Sequence, residues 1–122
     1  MIVAVTAQDA RFDAMTSPIF GRCPAFVFVE TETMQWEGTA NPAVAAGGGA
    51  GIRAAQFVVE RGARALLTHD VGPNAFAVLQ PAGIEVYRID GGTVRQAIEA
   101  FVAGKLPRLD GSSTTAHHGM KA

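Results

Sequence analysis

Near the N-terminus, Ile2-Val3-Ala4-Val5-Thr6-Ala7 form a short, β-branched, continuously apolar run with no polar alternation. A strand of that kind is covered on both faces, because a half-exposed strand alternates apolar with polar residues. The run therefore predicts a central strand, and a central strand needs helices layered against its sheet. Everything downstream is constrained to supply them.

The next apolar segments are Ala25–Glu30 and Met34–Thr39, separated by the polar Thr31-Glu32-Thr33, which suits an antiparallel hairpin whose alternating second arm lies at an edge. Residues 8–24 mix Asp, Ser, Pro and Gly with isolated apolar residues and read as a long ordered loop. After Asn41-Pro42, the glycine run Gly47-Gly48-Gly49-Ala50-Gly51 opens a helix with Ile52, Ala55 and Val59 on its apolar face, closed by Gly62. Ala65-Leu66-Leu67-Thr68 is a buried strand. Gly72-Pro73-Asn74 begins a second helix carrying Phe76 and Leu79, stopped by Pro81 and Gly83. Ile84–Tyr87 is the last predicted strand, and Thr93-Val94-Arg95-Gln96 is a capping-box pattern ahead of a third helix ending at Gly104.

The order strand, hairpin, helix, strand, helix, strand, helix makes this an α/β chain. Right-handed crossovers set the later strands parallel to the first. The expected sheet is mixed and five-stranded, in the order 3-2-1-4-5 with strand 2 antiparallel, flanked by helices. Residues 1–104 form one domain on this reading. Residues 105–122, rich in Pro, Ser, Thr and Gly, form a flexible C-terminal tail.

Composition removes whole classes of function. Ten basic and eleven acidic side chains nearly cancel, without a Lys/Arg cluster, so nucleic acid is not an expected partner. No apolar stretch approaches the ~20 residues that span a bilayer, and the N-terminus lacks a secretory signal pattern, so the expected location is cytoplasmic, away from membranes. The single cysteine, Cys23, excludes an intramolecular disulfide and any metal cage made only of this chain's thiolates. With fourteen glycines and many alanines the core should be thin, and the expected state is a monomer or a weak homodimer.

Several residues carry chemistry in principle. The glycine turn offers backbone N–H groups at a helix N-terminus, where an anion is favoured. Gly49-Ala50-Gly51-Ile52-Arg53-Ala54 matches G-x-G-x-x-A, with Asp70 nearly twenty residues on, but no strand immediately precedes it; tight packing is the simpler reading. No Gly-Lys-Ser/Thr follows, which excludes a Walker-type phosphate loop. Cys23 reads either as a nucleophile served by His69 or as a small buried apolar residue. Arg22 beside it reads either as a cation that lowers the thiol pKa and attracts an anion, or as a surface ion-pair partner of Asp9 or Asp13. His69 itself reads equally well as a residue that caps its strand or bonds a loop carbonyl. In the tail, His117, His118 and Met120 are donors suited to copper or other late transition metals, or plain solvated chain.

Four motifs in order, Ser17-Pro18-Ile19-Phe20-Gly21-Arg22-Cys23-Pro24-Ala25-Phe26, Gly47-Gly48-Gly49-Ala50-Gly51-Ile52, Gly72-Pro73-Asn74-Ala75-Phe76 and Gly92-Thr93-Val94, resemble those of the dinitrogenase iron–molybdenum cofactor biosynthesis family. The resemblance spans about residues 2 to 104 and implies a ribonuclease-H-like fold. It also implies a non-catalytic protein that binds or carries an anionic metal–sulfur cluster, of molybdenum–copper sulfide or iron–sulfur/molybdenum precursor type, held non-covalently. On this basis the cofactor-binding residues are Arg22, Cys23, Gly48, Gly49, Gly51, His69 and Asn74, with His117, His118 and Met120 as metal donors. Several nitrogenase-cofactor carriers of this family place a histidine before the Phe-Gly pair; here that position is Ile19, which shifts the expectation from imidazole ligation toward electrostatic holding by Arg22, with optional help from Cys23 or His69.

The rival expectation is a nucleotide-responsive or protein-interaction module that partners an ATPase of cluster assembly. An enzyme ranks third, since residue spacing shows neither a paired-carboxylate site nor a triad.

Overall fold

A computed structural model describes residues 1–111. Its elements are β1 (Ile2–Ala7), β2 (Ala25–Glu30), β3 (Trp36–Ala40), a 3-10 turn (Pro42–Ala45), α1 (Ala50–Glu60), β4 (Ala65–Thr68), α2 (Pro73–Leu79), β5 (Glu85–Arg88), α3 (Val94–Val102) and β6 (Arg108–Leu109). They build one sheet in the order β3-β2-β1-β4-β5-β6. β1 lies antiparallel to β2 and parallel to β4, β4 is parallel to β5, and the two remaining pairs are antiparallel.

The first five strands stand in the expected order, but the sheet has six. β6 pairs with β5 through Val86–Leu109 and Tyr87–Arg108, within the segment assigned to the tail. Two residues flanked by Pro and Asp carry no strand periodicity of their own; the exposed edge of β5 organises them.

The central run is covered on both faces. On one face Ala4, Phe26, Phe28, Leu66 and Val86 meet Ala54, Ala55 and Val58 of α1 and Phe76 and Leu79 of α2. On the other, Val3, Val5, Val27, Val29 and Leu67 meet Val94, Ala97 and Ile98 of α3 and Phe12 of the long loop. That loop crosses β3 so closely that a Cβ on Gly38 would lie 2.1 Å from the Ala10 carbonyl oxygen, which makes glycine obligatory there. Beside the crossing, Phe12 stacks on Trp36 at 6.0 Å and Arg95 lies over the Phe12 ring while donating to Asp13.

The buried face of α1 departs from expectation. Ala50, Ala54, Ala55 and Val58 point inward, whereas Ile52 is exposed. Small residues let α1 and α2 approach closely: a Cβ on Gly51 would sit 3.5 Å from that of Ala75. Ile52 is thereby turned outward at the end of the sheet where β1 and β4 terminate.

Candidate functional site

Three loops converge at the carboxyl end of the parallel strands, where open α/β sheets place their ligands. The first is stitched down by backbone bonds: Ser17 donates to the Thr6 carbonyl at 2.9 Å, and Asp70 donates to the Pro18 carbonyl at 3.2 Å. Buried Thr6 donates its hydroxyl to the Ser17 carbonyl at 2.6 Å. At Gly21 this loop meets the start of α1, where an added Cβ would lie 3.0 Å from the Gly51 nitrogen. The glycine at 21 thus permits a close approach of two backbones.

Between the loops lies an open recess of about 530 Å³, walled by Phe20 to Arg22, by Gly49 to Ile52, and by Asp70 with Gly72 to Ala75. Arg22 stands exposed on one wall. Its Nη1 donates to the carbonyls of Val44 and Ala46, each at 3.2 Å. The ion pairs considered for it belong to others, since Asp9 accepts from Arg11 and Asp13 from Arg95. Neutral carbonyls position the guanidinium, and among the described residues no carboxylate lies within 4.0 Å of it.

The adjoining wall is the first turn of α1. Gly49, in the left-handed region at φ 70°, precedes it and supplies no side-chain cap. The first backbone bond of the helix runs from Arg53 to Gly49, so the N–H groups of Ala50, Gly51 and Ile52 have no intrahelical acceptor. Asn74 stands exposed on the third wall, at the start of α2. Ile19 and Ile52, 59% and 36% exposed, give the mouth an apolar rim, and Asp70 is the acidic residue of the lining.

Of the predicted residues, Arg22, Gly49, Gly51 and Asn74 share this recess. Gly48 is exposed but lies outside the lining. Cys23 is fully buried, and burial pushes its thiol up to about 12 against weaker opposing hydrogen bonds, so it stays protonated at neutral pH. His69 belongs to a neighbouring pocket of about 280 Å³ with Ser17, Pro18 and Asp90. Its Nδ1 lies 3.1 Å from the Ile89 carbonyl, the loop-carbonyl bond foreseen as one of its readings. His117, His118 and Met120 lie outside the described residues. Among the described residues, no three His, Cys, Asp or Glu side chains are grouped so as to hold a metal ion.

Asn41 escaped the sequence reading. Buried beneath the recess, it donates to the carbonyls of Gly21 and Cys23 at 3.0 and 2.9 Å and accepts from Ala43 at 2.9 Å. It locks the loop that carries Arg22 to the turn that holds the guanidinium. The Asn-Pro pair, a cap followed by proline at the first helical position, was its available signal.

The family model for dinitrogenase iron–molybdenum cofactor proteins matches residues 1–104. The chain belongs to that family. Among solved structures, the apo form of the orange protein from Desulfovibrio gigas is 43% identical, with a TM-score of 0.89 over 93% of this chain and 96% of that one. A NifB-type protein of Thermotoga is 36% identical, with a TM-score of 0.82 over 94% of this chain and 97% of its own. An uncharacterized protein of Methanocaldococcus jannaschii is 31% identical over 97 residues, 77% of this chain and 82% of the relative. For this member of the family, no described helix is long and apolar enough to cross a membrane.

Proposed function

We propose that this protein is a non-catalytic carrier in metal-cofactor handling, and that its cargo is an anionic metal–sulfur cluster of the molybdenum–copper sulfide or iron–molybdenum precursor type. The observation that carries the reading is the presence, in one recess, of a guanidinium with no ion-pair partner among the described residues beside a helix N-terminus without a side-chain cap. Both attract negative charge, and neither needs to form a bond to the cargo's metal. Kinship with the orange protein and with a NifB-type protein supports a role in cofactor carriage or biosynthesis. A cluster that brings its own sulfides needs no thiolate cage, which accords with a cysteine buried beneath the site. Arg22 and the amides of Ala50 to Ile52 hold the charge, Asn74 offers its carboxamide, and Ile19 and Ile52 exclude water from the polarisable sulfides.

Reconstitution with tetrathiomolybdate and copper tests this directly. The expected product is a coloured, stoichiometric complex that survives gel filtration and is lost at high salt. If neither this mixture nor iron–sulfur precursors give a bound species, the carrier reading fails. Titration with adenine nucleotides, followed at the amides of Gly49 to Ile52, addresses the rival nucleotide-responsive module, for which saturable shifts at those positions would speak.

A further inference from the structure

Away from the recess, where β5 ends against α3, the chain forms a pocket of about 250 Å³ whose polar wall includes Arg88, Asp90, Gly91, Gln96 and Lys105. Arg88 is half-buried, and its Nε is shut off from solvent with no hydrogen-bond partner among the described residues. Four other arginines, Arg11, Arg61, Arg95 and Arg108, each face a carboxylate within 4.0 Å. Among the described residues neither Arg88 nor Lys105 does. Two backbone bonds fix this pair: Arg88 donates to the Pro107 carbonyl and Lys105 to that of Ala100, each at 2.9 Å. Gly91 and Gly92 both adopt positive φ, and the N–H groups of residues 90 to 92 have no acceptor among the described residues.

Arg88 and Lys105 thus put two cationic groups on one pocket wall with no carboxylate within 4.0 Å among the described residues. The group that complements such a pair is an anion able to meet a planar guanidinium and a neighbouring ammonium together. The volume admits a small ion or one terminal group but falls below the roughly 300 Å³ at which drug-sized ligand pockets begin. We propose that this corner is a second anion site, for a tetrahedral oxyanion of the phosphate class, either free or as the terminal group of a nucleotide. Arg88 and Lys105 supply the charge and the backbone N–H groups of Asp90 and Gly91 supply further donors. Gln96 is not free to contribute its carbonyl end, which accepts from the Thr93 N–H as part of the α3 cap. Asp90 opposes the ligand from the rim, where its carboxylate is 86% exposed and 3.7 Å from His69 Nδ1. The site shares no residue with the recess, so it stands or falls independently of the cluster reading.

The test is a titration of the full chain with inorganic phosphate at constant ionic strength, followed by amide NMR, with chloride as the control. The expected result is saturable movement of the Gly91, Gly92 and Lys105 signals with phosphate alone. Arg88→Gln and Lys105→Ala should each weaken binding about tenfold, the value of a charge-assisted contact, and Asp90→Asn should tighten it. Lys105 is exposed, so its variant keeps the fold and remains informative if Arg88→Gln does not. Adenosine monophosphate binding more tightly than phosphate would identify a nucleotide source, and equal binding a free ion; either supports the site. Shifts that chloride reproduces, that adenosine produces without a phosphate, or that survive Lys105→Ala undiminished would overturn it.

Discussion

Two helix N-termini in this molecule are finished in opposite ways. At α3, Thr93 accepts from the Gln96 N–H at 3.1 Å, while the Gln96 side chain accepts from the Thr93 N–H at 2.9 Å. That end satisfies itself with its own side chains. At α1, glycine stands at the cap with no side chain to offer, and the first turn lines the same recess as Arg22. A side-chain cap contributes roughly 1 kcal/mol to a helix, so its absence at α1 forgoes stability where the amides are useful and its presence at α3 recovers stability where they are not.

The sharpest way to break the contrast is to place a carboxylate over the open end. Ile52→Glu substitutes an exposed residue and leaves the core intact. It should weaken cluster loading about a hundredfold through like-charge repulsion, as measured by absorption titration. Arg22→Ala removes the facing cation and should cost about tenfold in the same titration. The loss should shrink as salt rises, because screening already weakens the wild-type interaction. At the closed end, Thr93→Ala should lower stability by about 1 kcal/mol in a denaturant melt and leave cluster affinity unchanged.

The smallest effect is expected at Cys23. Burial pushes its thiol up to about 12 from the usual 9.0, so native protein should resist alkylation at pH 8 and react only on unfolding. The folded state favours the neutral thiol, so this contribution is fully present below pH 9 and is lost as pH rises toward about 12. Cys23→Ser should leave loading intact; a lost complex in a still-folded variant would restore the thiol to the site.

How much of this was legible depends on whether the signal is local. The strand order followed from apolar runs and crossover handedness, and the α3 cap from four consecutive residues. Pro73 at the first position of α2 marked its start. On α1 the expected Ala55 is buried but the expected Ile52 is exposed: alanine carries little hydrophobic signal, so periodicity favours the bulkier Ile52 where the packed face uses Ala50 and Ala54. β6 was missed because two residues paired to an edge have no period. Within the site, Arg22 and the glycine turn could be read from residue type. That carbonyls would hold the guanidinium, that Asn41 would lock the loop, and that His69 would turn toward another pocket depend on contacts about twenty residues apart in the chain, which no local pattern encodes.

The carbonyl tether on Arg22 fixes where the side chain sits without cancelling what it carries. A carboxylate in the same role would have bound it equally well and left nothing to spare. On the carrier reading proposed above, retention by such a group scales with the net negative charge of whatever enters, so neutralisation of the cargo by an incoming metal ion would loosen the hold with no movement of the protein. Discharge would then be governed by the chemistry of the passenger, with no hinge in the polypeptide required.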